Sequence, residues 1–533
     1  MKKRFFLLIL LIMPCMLLFS ACEKNMSDDV NNDSKSSVKV EVYIDNVLVD
    51  SITTDSSKNY FIASPNPENY ITNSMQDSIF SGWFLDSDFQ ELLTDDTKFT
   101  VDCKIYGKWL KVFYNNFTYS ISNGKATITS FNNSNGLTMV AVPSCINSFP
   151  VEVIGKLSFS NQSLIENVVI CEGIKNIEAG AFSGCYSLKT ITLPNTLMEI
   201  GNSAFSGCHS IKSITLPNSV KFIGKSAFNA CANLTKIVLP FIGNGSDKTH
   251  FGYVFGAESI VENRDYIPSS LKEVIIKGGK RIENEAFKDC VNLINIMLPE
   301  TITTIGEGAF FKCSNLINMK IPKSVDKIER SAFMDCSGLT SIVLEDGITT
   351  LGDSVFYGCS ELINIEIPNS LEMVGSGVFV GCNNLIYNIY DNAQYLGNKE
   401  NKYIILMGAI NREIVSCEIN QNCKFIDAYA FSNCTTLKQI NITEGIVKFD
   451  RQAFAGCSSL TTVIIPNSVI NMEHSIFDRC TVLTIYCKAT SKPNGWNALW
   501  NEDHCPVYWY SENQPVTSGN FWHYGPQGNI VEW

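Results

Sequence analysis

The phrase Ala-Phe-x-x-Cys, or a close variant, returns along this chain of 533 residues with a fixed step. Phe182, Phe205 and Phe228 stand 23 residues apart, and so do Phe287, Phe310, Phe333, Phe356 and Phe379, then Phe431, Phe454 and Phe477. Each has a cysteine three residues on: Cys185, Cys208, Cys231, Cys290, Cys313, Cys336, Cys359, Cys382, Cys434, Cys457 and Cys480. Phe159 opens the series with Gln162 in the cysteine slot. A period of this length predicts stacked coils that touch only their neighbours, a solenoid rather than a globule.

One unit reads from Leu188 as L-K-T-I-T-L-P-N-T-L-M-E-I-G-N-S-A-F-S-G-C. Leu188, Ile191 and Leu193 are the apolar positions of a short strand. Pro194 ends it, because proline has no N–H to extend a ladder. Leu197 and Ile200 then point inward. Gly201, with Gly224, Gly306, Gly352 and Gly375 in the same slot, supplies either a positive φ or a close backbone approach at the corner. Ala204, Phe205 and Cys208 complete the interior, and stacked neighbours bury these residues in one continuous core. Two gaps interrupt the step. Phe228 to Phe287 is 59 residues, with Phe255 as the degenerate ring and Leu271 opening the next strand. Phe379 to Phe431 is 52, where Ile414-x-x-Cys417-x-Ile419 repeats the strand pattern.

The signature L-x-x-I-x-L-P … I-G-x-x-A-F-x-x-C resembles the BspA-like leucine-rich repeat. That resemblance implies a mainly β chain, with a leucine-rich-repeat solenoid of about fourteen coils over residues 141–485. It also implies an exported or surface protein that adheres to a host or to neighbouring microbes.

Twenty cysteines in such a chain invite a disulfide framework. Equivalent side chains in a stack run parallel, however, whereas a disulfide needs the two Cβ atoms turned towards each other. Cys417 occupies the Ile191 slot and Cys423 the Leu197 slot, so cysteine here replaces aliphatic residues and is read as a small buried hydrophobe. No close C-x2-C pair suggests zinc. The ladder is therefore structural, and no cofactor or metal is expected.

The ends follow other rules. Lys2, Lys3 and Arg4 precede an apolar run to Phe19 and the small pair Ser20-Ala21, the layout of a signal peptide over residues 1–21. Leu18-Phe19-Ser20-Ala21-Cys22 resembles a bacterial lipobox, with Phe19 where the pattern prefers Leu. It implies a lipidated Cys22 at the start of a polar tether, residues 22–37, and anchoring to a membrane without spanning it. A net charge of -12 with no basic cluster after the leader argues against nucleic acid as partner.

Residues 38–110 alternate like half-buried strands, and Phe80-Ser81-Gly82-Trp83-Phe84 with Ile105-Tyr106-Gly107-Lys108-Trp109 resembles the Listeria–Bacteroides (internalin B-type) repeat, a small β-grasp-like module. Residues 111–140 read as a hairpin that caps the first coil. Five of the seven tryptophans lie in the tail, residues 486–533. The tail is read as a cap for the open end, with sugar stacking by its exposed Trp and Tyr as the alternative. Cys487 and Cys505 are close enough in sequence to pair within it.

Chemistry is harder to find. The five histidines (His209, His250, His474, His504 and His523) lie in no recognisable catalytic setting, and no phosphate loop, nucleophile elbow or metal motif occurs. The chain is not expected to be an enzyme. Alternation sends one column of side chains outward from each strand. The candidate ligand contacts are Thr190, Thr192, Ser213, Thr215, Lys236, Asn295, Asn318, Lys320, Ser341, Asn364, Glu366, Gln439, Asn441 and Thr462, with Val238, Met297, Val343 and Ile464 as apolar members. The function expected is adhesion of a lipid-anchored cell-surface protein to a host or microbial protein or glycan through this face. A structural spacer, an envelope-assembly scaffold, or glycan binding by the aromatic tail are the alternatives.

Overall fold

The repeat folds as two parallel ladders. The computed structural model describes residues 37–44, 47–55, 78–87, 93, 99, 101–516 and 518–533. The leader, Cys22 and the tether up to residue 36 lie outside them. In each regular coil the Leu-x-x-Ile-x-Leu segment forms one short strand and the Ile-Gly corner forms a second of two residues. Asn318–Lys320, Ser341–Val343 and Asn364–Glu366 align Met319 on Ile342 and Ile342 on Ile365. Thr304–Ile305, Lys327–Ile328, Thr350–Leu351 and Met373–Val374 align their apolar residues likewise. In-register parallel pairing sets each slot on its equivalent in the next coil.

The corner glycines act by close approach. A Cβ on Gly201 would lie 2.6 Å from the Ala179 nitrogen, and one on Gly352 2.5 Å from the Arg330 nitrogen. The left-handed backbone falls two residues later, at Ser203, Ser226, Glu285, Ser331 and Ser354, with φ between 54° and 59°.

Phenylalanine rings stack along the interior. Phe131, Phe159, Phe182, Phe205 and Phe228 follow one another at centroid distances of 4.9, 4.8, 5.5 and 5.6 Å. Across the first gap Phe255 is joined by Phe251, so two rings bridge Phe228 to Phe287. The cysteines do more than fill space. Cys185, Cys208, Cys231, Cys313, Cys336, Cys359, Cys382, Cys457 and Cys480 each donate the thiol hydrogen to the carbonyl of the phenylalanine one coil earlier, at 3.1 to 3.3 Å. Gln162, in the same slot, donates its amide to the Phe131 carbonyl at 3.0 Å. The slot therefore selects a buried donor. Burial pushes the Cys185 thiol up to about 11 and that of Cys231 to about 12, which keeps them protonated. All described cysteines, Cys487 and Cys505 included, are free thiols.

One expectation fails at the second gap: the core is not continuous. Asn388–Tyr390, Ala393–Leu396 and Ile405–Ala409 form an antiparallel meander, and the buried apolar residues divide there into two clusters. Polar groups join the two runs. The Lys448 ammonium donates to the Val374 carbonyl at 2.6 Å, and the Asp450 carboxylate accepts from the Gly377 N–H at 3.0 Å. Burial pushes the neighbouring Asp427 carboxyl up to about 7, and the Asp450 carboxylate adds to the shift.

The chain divides into two compact units, residues 82–109 belonging with those before residue 75, and residues 110–533 with the short piece 75–81. Strands β1 (Ser37–Ile44), β2 (Val47–Asp55), β3 (Ser78–Phe84) and β4 (Cys103–Lys111) form one sheet in the order β2-β1-β4-β3, with β1 antiparallel to β2 and parallel to β4. Trp83 is buried there, its ring over Gly107, where a Cβ would come within 2.6 Å. In the second unit the hairpin of β5 (Phe117–Ser122) and β6 (Lys125–Phe131) pairs in parallel with Phe149–Ile154 and covers that sheet edge. At the other end Trp496 and Trp500 are buried, and Trp500 packs edge-on to Phe477 at 6.3 Å. Among the described residues no helix is long and apolar enough to cross a membrane.

Candidate functional site

The outward column exists, and its members are well separated in character. Ser213, Thr215, Asn295, Asn318, Lys320, Asn364, Glu366, Gln439, Asn441 and Thr462 are exposed. Thr190, Thr192, Lys236 and Ser341 are half-buried. Val238 is buried, as is Ile275 beside it in the next strand, although register keeps both in the outward column, next to exposed Thr215 and Met297.

Much of the polar column is bonded along itself. Thr190 Oγ1 donates to Asn167 Oδ1 at 2.5 Å, and Ser341 Oγ to Asn318 Oδ1 at 2.7 Å. Lys236 pairs with Glu273 at 3.4 Å, and Lys399 with Glu366 at 3.4 Å. Register brings Ser213, Lys236, Glu273 and Asn295 into one run, and Asn318, Ser341 and Asn364 into the next. Gln439 lies beside Ser416, and Thr462 beside Thr484. The strands ending at Glu366 and beginning at Ser416 are not paired, so the face is interrupted where the core divides.

Sequence reasoning passed over the residue just ahead of each strand. In the early coils it is Lys189, Lys212, Thr235 and Lys272. In the middle ones it becomes Ile294, Ile317, Thr340, Ile363 and Ile386, and in the last Val415, Lys438 and Thr461. Backbone bonds tie the middle residues into one ladder, from Ile317 to Ile294 at 3.2 Å, Thr340 to Ile317 at 2.8 Å, and onward to Ile363 and Ile386 at 3.0 Å each. The four isoleucines are 38%, 42%, 39% and 65% exposed, and exposed Met297 and Val343 lie one column further across, beyond Asn295 and Ser341. A row of apolar residues exposed to water, broken here by Thr340, is a feature of a protein surface that marks contact with another molecule. The signal was present in the sequence as the same 23-residue step carried by an outward position.

A second group lies at the end of the face. Thr484–Cys487 continues the stack in register, Ile464 beside Tyr486, and Val507–Tyr510 follows with Tyr508 beside Tyr486. The outward positions are thus tyrosines here, while Trp496, Trp500 and Trp509 face the core.

Compared with known families, residues 152–274, 280–403 and 410–493 match the model described as the BspA type leucine rich repeat region, in six copies. A leucine-rich repeat protein from Bacteroides ovatus is 23% identical over 66% of this chain and 94% of its own, with a TM-score of 0.34. A leucine rich cell surface protein from Faecalibacterium prausnitzii is 21% identical over 72% and 96%, with a TM-score of 0.26. A leucine-rich repeat protein from Bacteroides capillosus reaches 30% identity over 23% of this chain and 92% of its own, with a TM-score of 0.21. No curated protein gives a significant match.

Proposed function

Because the chain belongs to the BspA-type leucine-rich repeat family, we propose that it is a non-catalytic binding protein whose partner lies along the strand face between Ile294 and Ile389. The observation that carries this reading is the isoleucine ladder. Interior apolar residues of a solenoid are explained by stacking; Ile294, Ile317, Ile363 and Ile386 face water and are explained by nothing inside the fold. Flanking Asn295, Asn318, Ser341 and Asn364 supply donors and acceptors beside the stripe, the apolar-core and polar-rim arrangement of a protein interface. The partner we infer is a surface protein of a host or of a neighbouring microbe, bound by extended contact without covalent chemistry.

The proposal includes the location. Lipidation at Cys22 and a polar tether would hold this face outside the cell, and replacing Cys22 by Ser should abolish incorporation of a labelled acyl chain. Capture of the full chain by immobilised extracellular-matrix proteins tests the binding role. The paired substitution Ile317→Lys and Ile363→Lys should abolish capture, while Lys189→Ala with Lys212→Ala should leave it intact. Capture by no surface protein at all would favour a spacer or scaffold.

A further inference from the structure

The strand face changes chemistry in its last sheet. Register sets Tyr508 beside Tyr486, Tyr510 beside Trp522, Trp522 beside Glu532, and Tyr524 beside Ile530. The column that holds Thr215, Met297, Lys320, Val343 and Glu366 in earlier coils, and Ile464 just before this sheet, holds rings here. Trp522 lies at their centre and is fully buried, although it stands on the outward side. Tyr486, Tyr510 and Tyr524 cover it at centroid distances of 5.6, 5.5 and 4.9 Å, and its Nε1 donates to the Cys487 carbonyl at 2.9 Å. An indole locked on both sides thus supports an outer layer of phenols. Tyr508 and Tyr510 are half-exposed and Tyr524 is 41% exposed.

Polar groups stand among these rings. The Glu532 carboxylate accepts from the Tyr486 hydroxyl at 2.5 Å and engages that of Tyr508. The Lys488 ammonium pairs with Glu444 at 2.7 Å and engages the Tyr524 hydroxyl. A pyranose ring has one C–H-rich face and a rim of hydroxyl donors. Exposed ring faces match the first, and carboxylates with spare lone pairs match the second. Two carboxylates against one ammonium repel sulfate, phosphate and uronate groups, which disfavours an anionic saccharide. The tyrosines hold one another in place, so little side-chain freedom remains to be lost on binding.

We infer that Tyr508, Tyr510 and Tyr524 form a binding platform for a neutral oligosaccharide, separate from the isoleucine ladder. Of the Trp and Tyr of the tail read as an alternative sugar-stacking surface, Trp496, Trp500 and Trp522 are buried and so excluded from that role. The platform belongs to the tyrosines that alternate with them.

Isothermal titration of the full chain against cellohexaose, mannohexaose and xylohexaose tests this, with a heparin hexasaccharide as the anionic arm. At least one neutral hexasaccharide should bind. Tyr510→Ala and Tyr524→Ala should each weaken it by about tenfold or more, and Tyr524→Phe should bind nearly as the parent. Tyr524→Leu keeps apolar bulk over Trp522 but removes the ring face, which separates a lost contact from a lost fold. The Ile317→Lys, Ile363→Lys pair should leave saccharide binding unchanged, so the two surfaces can fail independently. The platform is refuted if no neutral hexasaccharide binds, if heparin binds in their place, or if the alanine variants match the parent.

Discussion

Within one coil the interior and the exterior obey different rules. Inside, the same group stands in the same place in each regular coil between Phe182 and Phe477, because each ring and thiol must fit a neighbour above and below it. Even the exception conforms: Gln162 replaces a cysteine and still donates to a phenylalanine carbonyl. Outside, water is the only neighbour that every coil shares, and the residue ahead of the strand drifts from lysine at 189, 212 and 272 to isoleucine at 294, 317, 363 and 386. The repeated phrase therefore reports stability, and the position that changes partway along reports use.

The sharpest way to break this contrast is to empty the ring stack. Phe333 sits between Phe310 at 5.0 Å and Phe356 at 5.6 Å and is fully buried. Phe333→Ala should cost about 3–5 kcal/mol in urea unfolding, from lost transfer and the cavity left between two rings. A loss no larger than that of an exterior substitution would show that the stack does not bear the fold.

Asp427 tests the one place where the interior turns polar. Its carboxyl is raised to about 7, first by burial and then by Asp450, against Lys448, Arg451 and the Ala428 N–H, with Tyr387 also nearby. A raised folded value means that the native state holds the proton more tightly than the unfolded chain does. The associated stability is full below the ordinary carboxylate range and is lost as pH climbs towards 7. Asp427→Asn should match the parent near pH 4, gain on it steadily up to pH 7, and level off above, reaching on the order of a few kcal/mol. Parallel curves for the two proteins would mean that Asp427 keeps its charge throughout.

The thiol ladder gives a smaller, more specific effect. Cys336→Val keeps the volume of the side chain and removes the donor to Phe310, which lies 3.1 Å away. About 1 kcal/mol should be lost. A variant as stable as the parent would return the cysteines to the role of simple packing groups.

Most of the interior was legible because counting in steps of 23 assigns each residue to a slot of the coil. Phe205, Gly201 and Cys208 could be placed inside a coil from spacing alone. Their partners could not, since spacing gives a slot and not the atom it faces; the carbonyl of the preceding phenylalanine was visible only as the oddity of Gln162. The second gap was legible as length but not as a divided core, because the meander from Asn388 to Ala409 pairs antiparallel and follows no repeat. The burial of Val238 was not legible, because alternation along a strand predicts direction and says nothing of what covers it. The tyrosine columns were hidden by a change of spacing, Tyr486 and Tyr508 lying 22 residues apart in a chain read in steps of 23. The isoleucine ladder kept the step and was still missed, since only the alternate residues within each strand were read as outward.

The smallest stability effect tests whether that position is surface or core. Ile317 and Ile363 border one strand face, with Thr340 between them in the ladder. Were they core residues, lysine there would bury a charge and unfold the coil. As surface residues, Ile317→Lys and Ile363→Lys should each shift unfolding by no more than about 0.5 kcal/mol, because the lysine stem lies along the surface and the ammonium reaches water. The same substitutions restore, in the middle coils, the residue type that Lys189 and Lys212 already show in the earlier ones. Loss of partner capture at unchanged stability would place recognition on the isoleucine ladder. Unchanged capture would move it to the polar column beside it, and a large loss of stability would show that the exterior rule stops short of this face.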